Sequence, residues 1–237
     1  MNSRKSNGSN KFLWAKIFTI EFVAAFSILL SLVVFIFLTK LVIIEKNISF
    51  DETVFNSIEP YITPGRTKFM SFITFLGKHT FLIPFNILLI LFFILNKRKW
   101  FSIKIATLSI SGLLMKIFLK VLFQRERPLT PVIEKVSGYS FPSGHALVGI
   151  SFYGLLIYVV WKEIKSFWLR WLLTILLVIL ILLICFSRIY LRVHYTSDVI
   201  AGLAAGFIWL IVALRILNWI EKKFIARKGS QKDASSN

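Results

Sequence analysis

The sequence predicts an all-α polytopic membrane protein: a six-transmembrane-helix bundle with short interfacial helices. Three observations carry that expectation. Hydrophobic residues make up 57% of the chain, above the roughly 45–50% of soluble domains. Mean hydropathy is +0.75. Uncharged apolar runs recur at lengths near the ~20 residues that a helix needs to cross a hydrocarbon core. The 24 Phe and 7 Trp suit lipid-facing and interfacial positions.

The first span is expected at Ile17 to Leu38, after a short basic segment, residues 1–16, that carries Arg4, Lys5, Lys11 and Lys16. It is longer than the 7–15 residues of a signal-peptide core and lacks a small-residue cleavage site, so it reads as uncleaved. Glu21 lies about one turn inside it, where pairing with Lys16 or snorkelling would satisfy the charge. Next comes Ser49 to Gly65, whose apolar residues Val54, Phe55 and Ile58 make a helical stripe with Asp51, Glu52 and Glu59 around it. This pattern predicts an amphipathic helix lying on the membrane surface.

The second span, Phe69 to Leu95, contains Gly77, Lys78, His79 and Pro84, and is expected to bend from an interfacial helix into a shorter buried one. The third, Phe101 to Phe123, has the weakest hydropathy because of Lys104, Lys116 and Lys120. Ala146 to Trp161, Trp168 to Phe186 and Val199 to Trp219 complete the six. The membrane domain is thus residues 17–225, and the polar segment 226–237 reads as a disordered tail.

Basic residues concentrate at the termini and in the turns Asn96 to Trp100 and Lys162 to Arg170, whereas most acids lie in the opposite loops. By the positive-inside rule both termini are cytoplasmic. The +18 formal charge is dispersed between apolar runs and forms no stripe, which argues against a nucleic-acid partner. The single cysteine, Cys185, lies in an apolar run and excludes an intramolecular disulfide.

Against this apolar background, three polar clusters fall at one membrane face. Lys120 and Arg127 are seven residues apart, so a helix returns them to within about 20° of the same face, roughly 10 Å apart along the axis. Both reach one anion if the helix unwinds near Pro128. Taken alone, the pair also fits a basic patch that snorkels to headgroups. Pro142-Ser143-Gly144-His145 precedes an apolar helix, making Ser143 an N-cap before unpaired amides that attract anions. Gly144 permits close backbone approach and His145 can donate a proton near neutral pH. Alone, this tetrapeptide is equally a helix cap with an interfacial histidine.

The third cluster holds Ser187-Arg188, then His194, then Asp198. Four residues apart, Asp198 and His194 share a helical face, and the carboxylate can accept a hydrogen bond from one ring nitrogen. The other nitrogen is then free to act as nucleophile or base. A lone pair of this kind is often structural; three clusters on one face make the chemical reading stronger. His79 has no charged neighbour in sequence and reads as structural.

Together the pattern Lys120 with Arg127-Pro128, Pro142-Ser143-Gly144-His145, and Ser187-Arg188 with His194 and Asp198 resembles the complete signature of the type 2 phosphatidic acid phosphatase superfamily. The likeness covers about Phe69 to Trp219, with the signature itself at residues 120–198. It implies a metal-independent phosphatase that needs no cofactor, with His194 as nucleophile forming a phosphohistidine, Asp198 orienting it and His145 protonating the leaving oxygen. It carries Lys120, Arg127, Ser143, Gly144 and Arg188 over as the phosphate-binding set.

Soluble vanadium-dependent haloperoxidases share this signature, but the membrane spans argue against that activity. The likeness is instead to six-span bacterial lipid phosphatases of the inner membrane, which act on phosphatidic acid, phosphatidylglycerophosphate or undecaprenyl diphosphate at the outer face. The expected partners are therefore the lipid phosphate substrate and the bilayer, with no protein partner. A phosphotransferase using the same phosphohistidine, and a non-catalytic phospholipid-binding or transport protein, are the alternatives. Arg125 and Arg192 add charge beside the signature, and Arg192 stands where many relatives have a small residue; the pair is expected to help hold a second phosphate or an anionic headgroup.

Overall fold

A computed structural model describes residues 3–133 and 136–234. The order is α1 (Ser3–Thr39), a π-helical turn (Lys40–Ile44), α2 (Ser49–Ile58), a 3-10 turn (Glu59–Tyr61), α3 (Pro64–Leu76), α4 (His79–Leu95), α5 (Lys99–Phe123), α6 (Gly144–Glu163), α7 (Phe167–Tyr190) and α8 (Thr196–Ala234). No strand occurs among the described residues. Among the described residues five helices are long and apolar enough to cross a membrane, and α3 with α4, bent by 41° at their break, counts as a sixth when the pair is taken as one span. The protein is an integral membrane protein of the predicted all-α class.

Several boundaries differ from the sequence expectation. The first span runs to Ile44 through the π-helical turn, and the last runs from Thr196 to Arg227. The helix α8 continues to residue 234, past the point where a disordered tail is expected to begin; residues 235–237 lie outside the described residues. Likewise α1 begins within the segment read as a separate basic arm. Helical hydrogen bonds propagate one per residue once a long apolar helix is nucleated, so polarity alone does not stop them.

The bend of the second span lies at Gly77 and Lys78, and Pro84 sits inside α4 without ending it. Packing explains the position. A Cβ on Gly77 would stand 2.8 Å from Ile184 Cγ2 and 2.9 Å from His145 Cδ2, so only glycine lets this elbow close against α6 and α7.

The inner helices are α6 and α8. A Cβ on Gly202 would meet the Ser143 carbonyl at 2.6 Å, and one on Gly206 would meet the Leu147 carbonyl at 2.5 Å. This small-xxx-small stripe brings the two backbones together and sets the start of α8 beside the start of α6. At the other end of the bundle Lys104, nearly fully buried, donates to Glu221 at 2.6 Å and to Tyr158 at 3.2 Å. One of the three lysines that weaken the third span is thus an internal ion pair. Glu21 is joined at 2.5 Å by Arg215 of α8, a partner far away in sequence.

A helix forms in the segment expected to be amphipathic, but α2 ends at Ile58, short of Gly65, and its apolar face packs on protein. Phe55 is buried and stacks on Tyr195 with ring centroids 5.8 Å apart. The following segment is tied to α7, where Tyr190 accepts from Thr63 N–H at 3.2 Å and donates to the Tyr61 carbonyl at 3.3 Å. The reason is that Asp51 is 1% exposed on that same face and binds the chain at the start of α8.

Candidate active site

Four helix ends converge on one site. The helix α5 contributes Lys120 in its last turn and stops at Gln124, whose left-handed φ of +47° redirects the chain toward Arg125 and Arg127. Unwinding therefore comes before Arg127, which is what lets it share a site with Lys120. Lys120 donates to the Tyr139 carbonyl. Arg127 donates to the carbonyls of Gly138 at 2.8 Å and Val193 at 2.6 Å, and lies 3.3 Å from His194 Nε2.

Ser143 occupies the cap position of α6, but its side chain makes no capping bond. Its N–H donates to the Asp198 carbonyl at 2.9 Å, which splices the second cluster to the third. The Ser143 hydroxyl is buried without a partner among the described residues, as is Nε of Arg188. Arg188, at the end of α7, donates to Thr74 Oγ1 at 2.5 Å. Buried donors left unpaired in this way cost free energy unless a ligand satisfies them.

His194 lies in the turn between α7 and α8 and is 1% exposed. The direct bond expected from Asp198 is absent. His194 Nδ1 is 3.6 Å from Asp198 Oδ2, while Ser140 Oγ stands 3.3 Å from that nitrogen and 2.5 Å from the same carboxylate oxygen. The expectation failed because Asp198 is the third residue of α8, where its carboxylate reaches back to accept from Tyr195 N–H at 2.9 Å. The serine fills the remaining gap.

This network assigns the tautomer. A guanidinium has donors only, so the nitrogen beside Arg127 must accept; Nε2 carries the lone pair and Nδ1 the proton. Nδ1–H then donates to Ser140, and Ser140 to Asp198. Burial, followed by the positive charges of Arg188, Arg127 and Lys120, holds His194 well below the usual histidine range. The imidazole is neutral at pH 7, with Nε2 available for attack.

Lys120, Arg127, Gly144, His145, Arg188 and His194 line one cavity of about 670 Å³. Its far end runs between α4 and α5, along Leu82, Ile87, Ile90, Ile110 and Leu113. A cationic head thus continues into an apolar channel. His79, read as structural, stands in its wall with Lys78. Ser143 and Asp198 are not among the lining residues: Ser143 N–H is bonded to the Asp198 carbonyl, and the Asp198 carboxylate reaches His194 through Ser140.

Arg125 and Arg192 do not line the cavity. Arg125 is locked between two carboxylates: it donates to Asp198 Oδ1 at 2.6 Å and to Asp51 Oδ2 at 3.0 Å, with its Cζ 4.1 Å over the Tyr195 ring. Arg192 points to α2, donating to the Phe55 carbonyl at 3.2 Å and pairing with Glu59 at 3.5 Å. Its φ is +52°, just after the end of α7, where glycine is favoured and a Cβ costs about 1 kcal/mol.

Sequence reasoning missed Asp51, Ser140, Thr74 and Lys116. Asp51 was detectable, since with Phe55 and Ile58 it makes an i, i+4, i+7 face: a carboxylate on an apolar stripe. Ser140 and Thr74 had no such signal.

The chain is similar to known proteins in sequence and in fold. The profile of the PAP2 superfamily matches residues 100–222, more than half of the chain. Phosphatidylglycerophosphatase B of Bacillus subtilis is 25% identical over 162 residues, covering 68% of this chain and 79% of the relative. Dolichyldiphosphatase of Saccharomyces cerevisiae is 29% identical over 182 residues, 66% of this chain and 72% of its own length. Undecaprenyl-diphosphatase of Sulfolobus acidocaldarius is 29% identical over 185 residues, 76% and 84%. In fold, the chain is similar to the crystal structure of a PAP2-type phosphatidylglycerolphosphate phosphatase from Bacillus subtilis, with a TM-score of 0.75 at 23% identity, covering 83% of this chain and 97% of the other.

Proposed function

Because the chain belongs to the PAP2 superfamily and is a membrane lipid phosphatase, we propose that it removes the terminal phosphate of a phosphomonoester or diphosphate lipid through a phosphohistidine on His194. The relatives named for phosphatidylglycerophosphate, dolichyl diphosphate and undecaprenyl diphosphate bound the substrate class. The observation that carries the reading is His194 Nε2, neutral and accepting, at the wall of a cavity that is cationic around it and apolar beyond.

In this reading Lys120, Arg127 and Arg188, with the Gly144 end of α6, hold the phosphate oxygens and stabilise the charge that spreads over them in the transition state, and the unpartnered Ser143 hydroxyl joins them only if the ligand reaches past the cavity wall. Nε2 attacks phosphorus, the bond to the lipid oxygen breaks, and His145 supplies the proton that the leaving oxygen needs. Asp198, acting through Ser140, keeps the Nδ1 proton in place and balances the positive imidazole formed on attack. Water, deprotonated by His145, then releases phosphate from His194. No step calls on a metal ion.

The test is phosphate release by the purified chain in detergent, from phosphatidic acid, phosphatidylglycerophosphate, and undecaprenyl mono- and diphosphate, with and without a metal chelator. Release from at least one lipid, undiminished by chelator, is expected. Transfer of the phosphate to an added alcohol in place of release would make the protein a phosphotransferase. The pH profile adds a sign. Only neutral imidazole attacks and burial lowers the His194 pKa, so the acid limb of kcat/KM falls below pH 6.5 once substrate ionisation is corrected. A limb at or above 6.5 contradicts the assignment.

The proposal places the site at the extracytoplasmic face of a bacterial inner (plasma) membrane, with both termini cytoplasmic, supported by the basic turns at Lys97 to Lys99 and Lys162 to Arg170. Leu129 is 85% exposed in the loop after α5, and the native cysteine is buried. Leu129→Cys in intact cells is therefore expected to react with an impermeant maleimide without lysis. Labelling only after lysis reverses the orientation.

A further inference from the structure

Arg125 and Arg192, the sequence candidates for a second phosphate, are engaged elsewhere, and the cavity supplies a different cation for that place. Leu113, Lys116 and Lys120 fall at i, i+3 and i+7 on one face of α5, and all three line the cavity. Lys116 is one turn, about 6 Å, from Lys120 toward the apolar channel. Its aliphatic stem lies on Gly144: a Cβ there would stand 2.7 Å from Lys116 Cδ and 3.1 Å from Cγ. Gly144 is thereby explained twice, as a close approach for an anion and as the floor for this side chain.

Lys116 forms no ion pair or hydrogen bond among the described residues, although it is half-buried within a membrane-spanning helix. An intramembrane cation without a partner is costly and marks a place where an anion is bound. The described lining includes five cations, Lys78, Lys116, Lys120, Arg127 and Arg188, and no Asp or Glu. A phosphomonoester brings at most about two negative charges, and a diphosphate about one more.

We propose that Lys116 is a specificity-determining residue that binds the inner phosphate of a diphosphate lipid while the outer phosphate occupies the Lys120, Arg127 and Arg188 cradle. This rests on His194 as nucleophile and on the lipid leaving along the channel. Nε2 attacks the outer phosphorus; the bond from that phosphorus to the bridging oxygen breaks. The inner phosphate leaves on the lipid with the electron pair and takes a proton from His145. Its added charge develops beside the start of α6, where the Lys116 stem lies. A monophosphate substrate offers the ammonium no inner phosphate oxygens, and the charge on its leaving oxygen is met by the proton from His145.

The test compares kcat/KM for dioleoylglycerol diphosphate and dioleoyl phosphatidic acid, which share their tails, in the unaltered chain and in Lys116→Met. Loss of a charge-assisted contact in a dry site lowers the diphosphate-to-monophosphate ratio about tenfold, and Lys116→Arg restores most of it. Should Lys116→Met fail to fold, Lys116→Gln is read in the same way. An unchanged ratio overturns the proposal, whether both activities fall or neither does. Failure of the underlying mechanism is distinct: the intact chain would then hydrolyse neither lipid, or a chain lacking the His194 imidazole would hydrolyse both.

Discussion

His194→Ala is expected to abolish lipid phosphate hydrolysis, lowering kcat by at least about 10⁴-fold, since loss of a covalent nucleophile leaves only binding and electrostatic contributions. The imidazole is fully buried, with one nitrogen beside Arg127 and the other beside Ser140. Substrate binding is therefore retained, because the cradle of Lys120, Arg127 and Arg188 is untouched. Acid-labile, alkali-stable label trapped from a radiolabelled lipid phosphate would be present in the intact enzyme and absent in the variant. Turnover by His194→Ala within tenfold of the intact enzyme would end the phosphohistidine reading.

Asp51→Ala is expected to damage both the fold and the reaction, although Asp51 lies outside the signature. Its Oδ1 accepts from Ser197 N–H at 2.8 Å, and its Oδ2 accepts from Ser197 Oγ at 2.7 Å and from Arg125 at 3.0 Å. Removal leaves a buried guanidinium with one carboxylate in place of two and strips α2 of its anchor on α8. Breaking a buried ion pair from one side costs about 3–5 kcal/mol, read as a lowered unfolding temperature in detergent. Arg125 also holds Asp198 Oδ1, so slack there reaches Ser140 and His194. The kinetic signature is a fall in kcat with little change in KM, because Asp51 touches no substrate. Asp51→Asn keeps one acceptor for Ser197 N–H and loses the charge facing Arg125, so it should fall between Asp51→Ala and the unaltered chain. Melting and turnover like those of the unaltered chain would show that the network is incidental.

Much of the architecture could be read directly. Hydrocarbon has a fixed thickness, so apolar runs near 20 residues declare their number, and the elbow in the second span was marked by Gly77 and Lys78. Lys120, Arg127, Gly144, His145, Arg188 and His194 were singled out by residue type, by spacing and by the family resemblance they carry, and all line one cavity. Local chemistry made them legible: caps, helix ends and i, i+4 neighbours are properties of short segments. It failed where the partner was remote. Asp198 was paired with His194 because four residues separate them, yet Ser140, more than fifty residues upstream, stands between. Arg125 was taken for a substrate contact because it adjoins the signature, whereas Asp51 of α2 had already claimed it.

Lys116 shows the division most plainly. As one of three lysines in the third span it only lowered a hydropathy score, and nothing local separated it from Lys104. In the fold Lys104 is neutralised by Glu221, 117 residues away, while Lys116 meets no carboxylate among the described residues and faces the cavity. The reactive groups and the number of spans follow from the order of residues, since both depend on local composition and spacing. Which charges are cancelled inside the protein, and which remain for a ligand, depends on long-range packing of helices, because a charge is spent or spared only by what folds against it.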